Sequence, residues 1–545
     1  MKRKVRMLSA EQAAAMIPDE AVLGIGGFIG AGVAEEIHEA VERRFIATGK
    51  PEQLTLLYAA GIGDGQTRGL NHYAHERLIK RVIGGHWGMA PKLQPLVAEN
   101  KIEAYNLPQG VIAQLFREGA AGRPLFVTHV GLGTFVDPDL QGGKLNERTK
   151  DDIVSKMHVE GKPFLAYQAP RLTVAILKGT EADEAGNISF TKEPLTLDVL
   201  SMAINAKNNG GIVIIQVERM VKNGSIDPKS VEIPHIFVDA VVVAHDMSNH
   251  MQTFGTMFNE AFIRSDIIAE SRETDYPLNV RKMIARRAAM VLNSDKRVLN
   301  YGIGIPEVIA EVLKEEGQDG WFVPTVEPGV FGGSPVGGLD FGCAIVPDAI
   351  IDQSIMFDFY DGGGIDAAFL GLAQCDKQGN INVSQFGPKI AGCGGFINIT
   401  QNAKELVFCG TFTAGGLEVK AEDGKLVIVQ EGRAKKFIQS VEQITFSGEV
   451  AQINKQRVLY VTERAVFELT VEGLTLVEIA PGIDLERDIF AQMDFRPQLA
   501  EPIRVMDARI FCDQPMGLVF ETATKAVNQD TKEGKRTTAD VSVAL

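Results

Sequence analysis

AVLGIGGF (21–28) runs straight into GVAEEIHEAVERRF (32–45), and at an offset of 276 residues RVLNYGIGI (297–305) runs into PEVIAEVLKEE (306–316). Each pair reads as a short apolar strand, a glycine-rich turn and an amphipathic helix. Strand, glycine turn and helix in succession predict α/β layers with parallel sheets. Val22, Leu23, Gly26, Ala34 and Glu35 recur as Val298, Leu299, Gly302, Ala310 and Glu311 at the same spacing. A second echo sets VAILKGTEADEAGNIS (174–189) against AAFLGLAQCDKQGNIN (367–382), keeping Asp-x-x-Gly-Asn-Ile at an offset of 193. Two echoes in one order predict two similar open α/β domains fused in one chain, with extra residues between the first strands and the Asp-x-x-Gly-Asn turn of the first. The domains are expected at 1–270 and 271–525, divided near the polar SRETDYPLNVRK (271–282), with a polar tail at 526–545.

The composition narrows the partners. A chain of 545 residues buries a large core without disulfide or metal staples. With 55 Lys and Arg against 70 Asp and Glu, the formal net charge is −15, so neither nucleic acid nor an anionic membrane surface is an expected partner. Cys343, Cys375, Cys393, Cys409 and Cys512 form no CxxC pair and read as free thiols of a cytoplasmic protein. MKRKVRMLSAEQ meets Glu11 before an apolar secretory core can form, and runs such as AVVVA (240–244) are too short to cross a bilayer.

Several glycine clusters are candidates for chemistry. GIGGFIGAG (24–32) sits between strand and helix, where backbone N–H groups can approach an anion, though such a turn needs glycine in any case. It lacks the GxGxxG spacing, and the helical EEIHEAVERR stands where a dinucleotide fold would close its second strand, so an NAD site is not expected. FVPTVEPGVFGGSPVGG (322–338) delivers Glu327 from a strand into a Pro-Gly turn and glycine pairs that would let a bulky substrate approach. DFYDGGGIDAAFLG (358–371) and KIAGCGGFINI (389–399) add two clusters in the same half, and together they suggest amides gathered around an anionic transition state. Gln109 occupies a Pro-x-Gly turn in AYNLPQGVIAQLF (104–116). The nine histidines form no HExxH, and His72/His75 and His245/His250 lack an evident third ligand, so no metal is expected. GxSxG and GxxxxGK[ST] are both missing, which points away from a serine hydrolase and a P-loop ATPase.

Together these segments resemble family I CoA-transferases, and among them the single-chain acetate/propionate group. The resemblance runs from about residue 8 to about 522 and rests on GGF (26–28), NLPQG (106–110), GGKLNE (142–147), NNGGIVIIQVE (208–218), VEPGVFGG (326–333), FDFYDGGGID (357–366), GGFINI (394–399) and YVTERAVFEL (460–469). It implies that Glu327 is the nucleophile. It also implies that Gly392, Gly394 and Gly395 fall where relatives keep an oxyanion-hole amide, and Gln109 where they keep a glutamine near the substrate carboxylate. Gly26 and Gly27 fit the glycine loop of the first domain, and Gly362, Gly363 and Gly364 are candidates to contact the coenzyme. One departure is Ala59-Ala60, where ketoacid-specific relatives carry an asparagine pair; small apolar acyl groups are favoured.

The activity so implied is exchange of CoA between short-chain acyl-CoA (acetyl, propionyl, butyryl) and free short carboxylic acids such as acetate, through a glutamyl-CoA thioester, by a cytoplasmic homo-oligomer. CoA is then a substrate and no tightly bound cofactor is expected. A glutamate of ordinary pKa, about 4.3, is ionised at neutral pH and needs no general base to attack. The rival readings are an acetyl-CoA hydrolase of the same family and a non-catalytic metabolite sensor on a similar fold.

Overall fold

The computed structural model describes residues 4–267 and 276–520. The expected domain boundary at 270/271 and the tail at 526–545 lie outside the described residues. The first unit is built on strands Arg6–Leu8 (β1), Val22–Ile25 (β2), Leu54–Tyr58 (β3), Ile79–Gly84 (β4), Glu103–Asn106 (β5), Val174–Lys178 (β6), Ile212–Val217 (β7) and Ala240–Val243 (β8). They form one parallel eight-stranded sheet in the order β1-β8-β7-β6-β2-β3-β4-β5. Helix α1 (Glu35–Thr48) buries Ile37, Ala40 and Val41 against Leu23, Ile25, Leu54 and Leu56, the pattern expected of the VAEEIHEAV repeat. It ends at Gly49, whose φ of 71° is the left-handed conformation glycine supplies at helix ends. Helices α2 (Gln109–Ala120) and α3 (Val199–Asn208) pack against each other in the same unit.

The second unit carries Val298–Tyr301 (β9), Val323–Val326 (β10), Val330–Phe331 (β11), Ala349–Ile350 (β12), Ala367–Gly371 (β13), Glu405–Cys409 (β14), Arg457–Val461 (β15), Ala465–Thr470 (β16), Gly473–Ile479 (β17) and Gln498–Val505 (β18). The ten-stranded sheet runs β12-β11-β10-β9-β13-β14-β15-β16-β17-β18. Its centre, β10 to β15, is parallel as the sequence predicts. The edges depart from that expectation: β11 and β12 join antiparallel on one side, and β16 and β17 on the other. Helices α4 (Glu307–Glu315), α5 (Gln353–Asp361) and α6 (Phe396–Asn402) complete the parts used below.

The sequence echoes occupy matching places. β2 lies between β3 and β6, and β9 lies between β10 and β13. The Gly26 amide extends one ladder by donating to the Ile176 carbonyl (3.1 Å), and the Gly302 amide does the same to Phe369 (2.8 Å). Asp183 accepts from the amides of Ala185, Gly186 and Asn187; Asp376 accepts from those of Gln378 and Asn380. No helix among the described residues is long and apolar enough to cross a membrane.

Candidate active site

Glu327 lies where the two units meet. β10 ends at Val326, and Glu327-Pro328-Gly329 is a three-residue loop into antiparallel β11, closed by the Gly329 amide donating to the Val326 carbonyl (3.1 Å). Gly329 has a φ of 123°, and a Cβ there would stand 1.9 Å from the Ile351 carbonyl oxygen, so only glycine fits. Beneath the loop, Tyr360 donates to Thr325 Oγ1 (2.9 Å) and Thr325 Oγ1 donates to the Leu299 carbonyl (2.9 Å), tying β10 to α5 and β9.

The Glu327 side chain keeps a partial opening to solvent, yet the surrounding protein pushes its pKa up to about 7, opposed by a hydrogen bond from its own amide. The expectation of an ordinary, fully ionised glutamate is therefore corrected. Removal of water disfavours the charge, no cation of an ion pair offsets it, and near neutral pH both forms are populated. The less solvated carboxylate is also the stronger nucleophile.

The AGCGGF loop of the second unit is fastened to the first by main-chain bonds. Trp87 and Gly88 donate to the Ala391 carbonyl (2.7 and 3.0 Å), the Gly394 amide donates to Gly85 (2.7 Å), and the Gln109 amide donates to the Gly394 carbonyl (2.9 Å). Asn106, fully buried, accepts the Cys393 amide at Oδ1 (2.9 Å) and donates from Nδ2 to the carbonyls of Gly84 (2.8 Å) and Gly85 (2.6 Å). Of the three glycines proposed for the oxyanion, Gly392 and Gly394 already donate, to Ser384 and Gly85. Gly395 has no amide partner among the described residues, and a Cβ on it would lie 3.6 Å from Glu327 Cγ. Of the three, Gly395 alone keeps its amide without a partner among the described residues and beside Glu327. Cys393, between them, is not a rival nucleophile: burial pushes its thiol well above the ordinary range.

Gly26 and Gly27 stand at the carboxyl end of β2, and the following Phe28 packs on Phe341 with ring centroids 5.8 Å apart, beside Pro328. The Gly27 amide has no partner among the described residues. Gln109 is buried, and a Cβ on Gly394 would be 3.8 Å from its Oε1. Gly362, Gly363 and Gly364 instead close α5, donating to the carbonyls of Asp358, Tyr360 and Phe359 (3.0, 2.9 and 2.9 Å), so their amides are already engaged.

The family described as Coenzyme A transferase matches residues 7–244. Over 524 residues the chain is 44% identical to acetate CoA-transferase YdiF of Escherichia coli O157:H7, covering 95% of this chain and 98% of that one. This chain belongs to the coenzyme A transferase family. It is also 45% identical over 518 residues to caffeate CoA-transferase of Acetobacterium woodii, across 94% of this chain and 98% of the relative. The crystal structure described as a YdiF thioester complex with CoA superposes with a TM-score of 0.89 at 42% identity, covering 95% and 98% of the two chains.

Two further parts of this transferase escape a reading of its sequence. His86 contacts the loop: a Cβ on Gly394 would be 3.8 Å from its Cδ2, and burial lowers its pKa to about 4, so the ring is neutral. At His72, for which the sequence shows no evident third ligand, the structure gathers carboxylates. Glu35, Glu39 and Glu42, spaced 4 and 3 along α1, bring carboxylates to it: Glu35 Oε1 lies 2.9 Å from Nε2 and Glu42 Oε2 2.5 Å from Nδ1. Although burial opposes it, the hydrogen bonds and charges of Glu35 and Glu42 raise the His72 pKa.

Proposed function

We propose that this transferase moves CoA between short-chain acyl thioesters and free short carboxylic acids, with Glu327 as the covalent nucleophile. The observation that carries this reading is the pairing of a desolvated carboxylate with the unpartnered Gly395 amide beside it. The Glu327 carboxylate adds to the thioester carbonyl, the C–S bond breaks, and CoA thiolate leaves with the electron pair, forming an acyl-glutamyl anhydride. The thiolate then attacks the glutamyl carbonyl, forming a glutamyl-CoA thioester and expelling the donor acid as its carboxylate. An acceptor carboxylate runs the two steps in reverse. No proton or nucleotide is consumed overall. Each addition builds an oxyanion, and one hole donor typically supplies about 3–4 kcal/mol.

The named activities of the relatives support acetate-type exchange, and one of them, named for caffeate, marks how far the acyl group can vary among chains this similar. In this chain buried Ala59 and Ala60 put no side-chain donor at the strand end, which favours acetate, propionate and butyrate over acids with a second polar group. The test is acetyl-CoA with an acid series from isotopically labelled acetate to octanoate, plus succinate, acetoacetate and a hydroxycinnamate. Exchange with acetate-to-butyrate leading the series is expected. Thioester loss without any acid would identify a hydrolase instead, and succinate or acetoacetate outrunning propionate would overturn the acyl preference.

A further inference from the structure

Behind Gln109 runs a chain of buried polar groups that the reaction does not use directly. Gln109 Nε2 donates to Gln353 Oε1 (2.9 Å), and Gln353 Nε2 donates to Asp198 Oδ2 (2.5 Å). Their exposures of 2%, 1% and 5% leave no room for water to take over these bonds. Asp198 precedes α3 but does not cap it with its side chain, turning to the second unit instead. The backbone is strained to do so: Leu197 holds a φ of 56°, rare for leucine, and its carbonyl accepts the Gln353 amide (3.1 Å). The other Asp198 oxygen, Oδ1, is buried without a partner among the described residues. Such an orphan is costly in a finished structure and asks for an explanation.

The two carboxamides are polar in sequence, like a row of arrows. An ionised Asp198 only accepts, so Gln353 must turn its amide toward it and its carbonyl toward Gln109. Gln109 then turns its amide to Gln353 and its carbonyl oxygen toward Gly394. A protonated Asp198 donates, which permits both amides to reverse and puts the Gln109 NH₂ group toward Gly394. A free carboxylic acid in its ionised form is bound by the second arrangement and repelled by the first.

We infer that Asp198, acting through Gln353, is a positioning residue that sets which end of the Gln109 amide faces the acceptor carboxylate. This rests on the reading of Gln109 as the group near that carboxylate. Burial raises the Asp198 pKa to about 7, Asp352 adding to the effect while Gln353, the Ser354 amide and Arg117 oppose it, so both states occur near neutrality. Glu232, also raised by burial and by Asp352, and Asp358, paired with Arg117 at 3.0 Å, complete the charged groups of this corner. Asp361, raised to about 7 by burial, titrates in the same range on a separate pair, Asn398 and Asn402.

The experiment measures KM for acetate and for propionyl-CoA, so that acetyl-CoA forms as a distinct product, from pH 7, where Glu327 is about half ionised, to pH 9. In the wild-type enzyme KM for acetate should rise with pH above 7, approaching about tenfold per unit, while KM for propionyl-CoA stays flat. Asp198→Asn, isosteric and able to donate at every pH, should hold KM for acetate low and level across the range. Gln353→Leu cuts the chain and should give a level KM for acetate at a raised value. A level wild-type profile, or an Asp198→Asn profile that climbs with the wild type, overturns the inference. No exchange with any acid would instead refute the function on which it rests.

Discussion

The two halves of the molecule meet their neighbours in one register and end in different chemistry. In the first, Leu23 of β2 stands opposite Leu56 of β3; in the second, Leu299 of β9 stands opposite Pro324 of β10. Three residues beyond each of those partners lie Ala59 and Glu327. Glu327, the proposed nucleophile, thus occupies a position that the first half also possesses and fills with an alanine. What differs is the next step of the chain. β3 is followed by a crossover to parallel β4, whereas β10 folds back at once into antiparallel β11. A tight hairpin loop holds a side chain at the sheet edge more rigidly than a crossover does, and the site was built on the hairpin.

The largest expected effect tests that asymmetry directly. Glu327→Gln should lose at least about a hundredfold in exchange rate, as loss of a covalent nucleophile requires. Adding Ala59→Glu to that variant should restore nothing, and recovered exchange would mean the two positions are interchangeable. Next come the glycines that let each strand end pack. A Cβ on Gly329 would meet the Ile351 oxygen at 1.9 Å and one on Gly85 the Ala59 oxygen at 1.8 Å, and Gly329 alone also has positive φ. Both alanine variants should lose on the order of 3 kcal/mol or more in urea unfolding, with Gly329→Ala the worse.

A smaller effect follows from the raised pKa of Glu327. A carboxyl held above its unfolded value binds more protons folded than unfolded, so its stabilising protonation is complete below about pH 4.5 and is lost as pH rises through about 7. Glu327→Gln should therefore match the wild type near pH 4 and exceed it by about 2–3 kcal/mol at pH 8, read from thermal melts. The same titration should bend wild-type kcat/KM downward below about pH 7. The smallest effect compares the repeated turns. Asp183 accepts four hydrogen bonds within its turn and Asp376 three, so each alanine variant should cost about 1–2 kcal/mol, slightly more in the first half.

The parallel cores were legible because uninterrupted apolar runs before glycine turns have few alternatives, and the echoes at 22–35 and 298–311 mark the same place in both halves. β11 and β12, two residues each, carry no periodicity that a sequence can display. Glu327 stood out only as an acid among glycines, and its nucleophilic role came from family resemblance. Its pKa was beyond reach, since desolvation is set by residues brought from both domains. Asp198 and Gln353 were invisible for a related reason: their bond joins residues 155 apart, and that of Gln353 to Gln109 spans 244. Nothing local distinguishes a glutamine that ends such a chain from one in solvent.

Asn106 has a consequence for how the enzyme must be made. The strand end that carries Glu327, the proposed nucleophile, belongs to one half, but the loop holding Gly395 is pinned by an asparagine and two turns of the other. On the proposed reading, each half needs the other to hold the centre in place. Carrying both on one polypeptide fixes their stoichiometry at synthesis, and tethering raises the local concentration of each for the other to the order of millimolar. Assembly of the centre is then insensitive to dilution and to expression level, so a cell making few copies obtains as large a competent fraction as one making many.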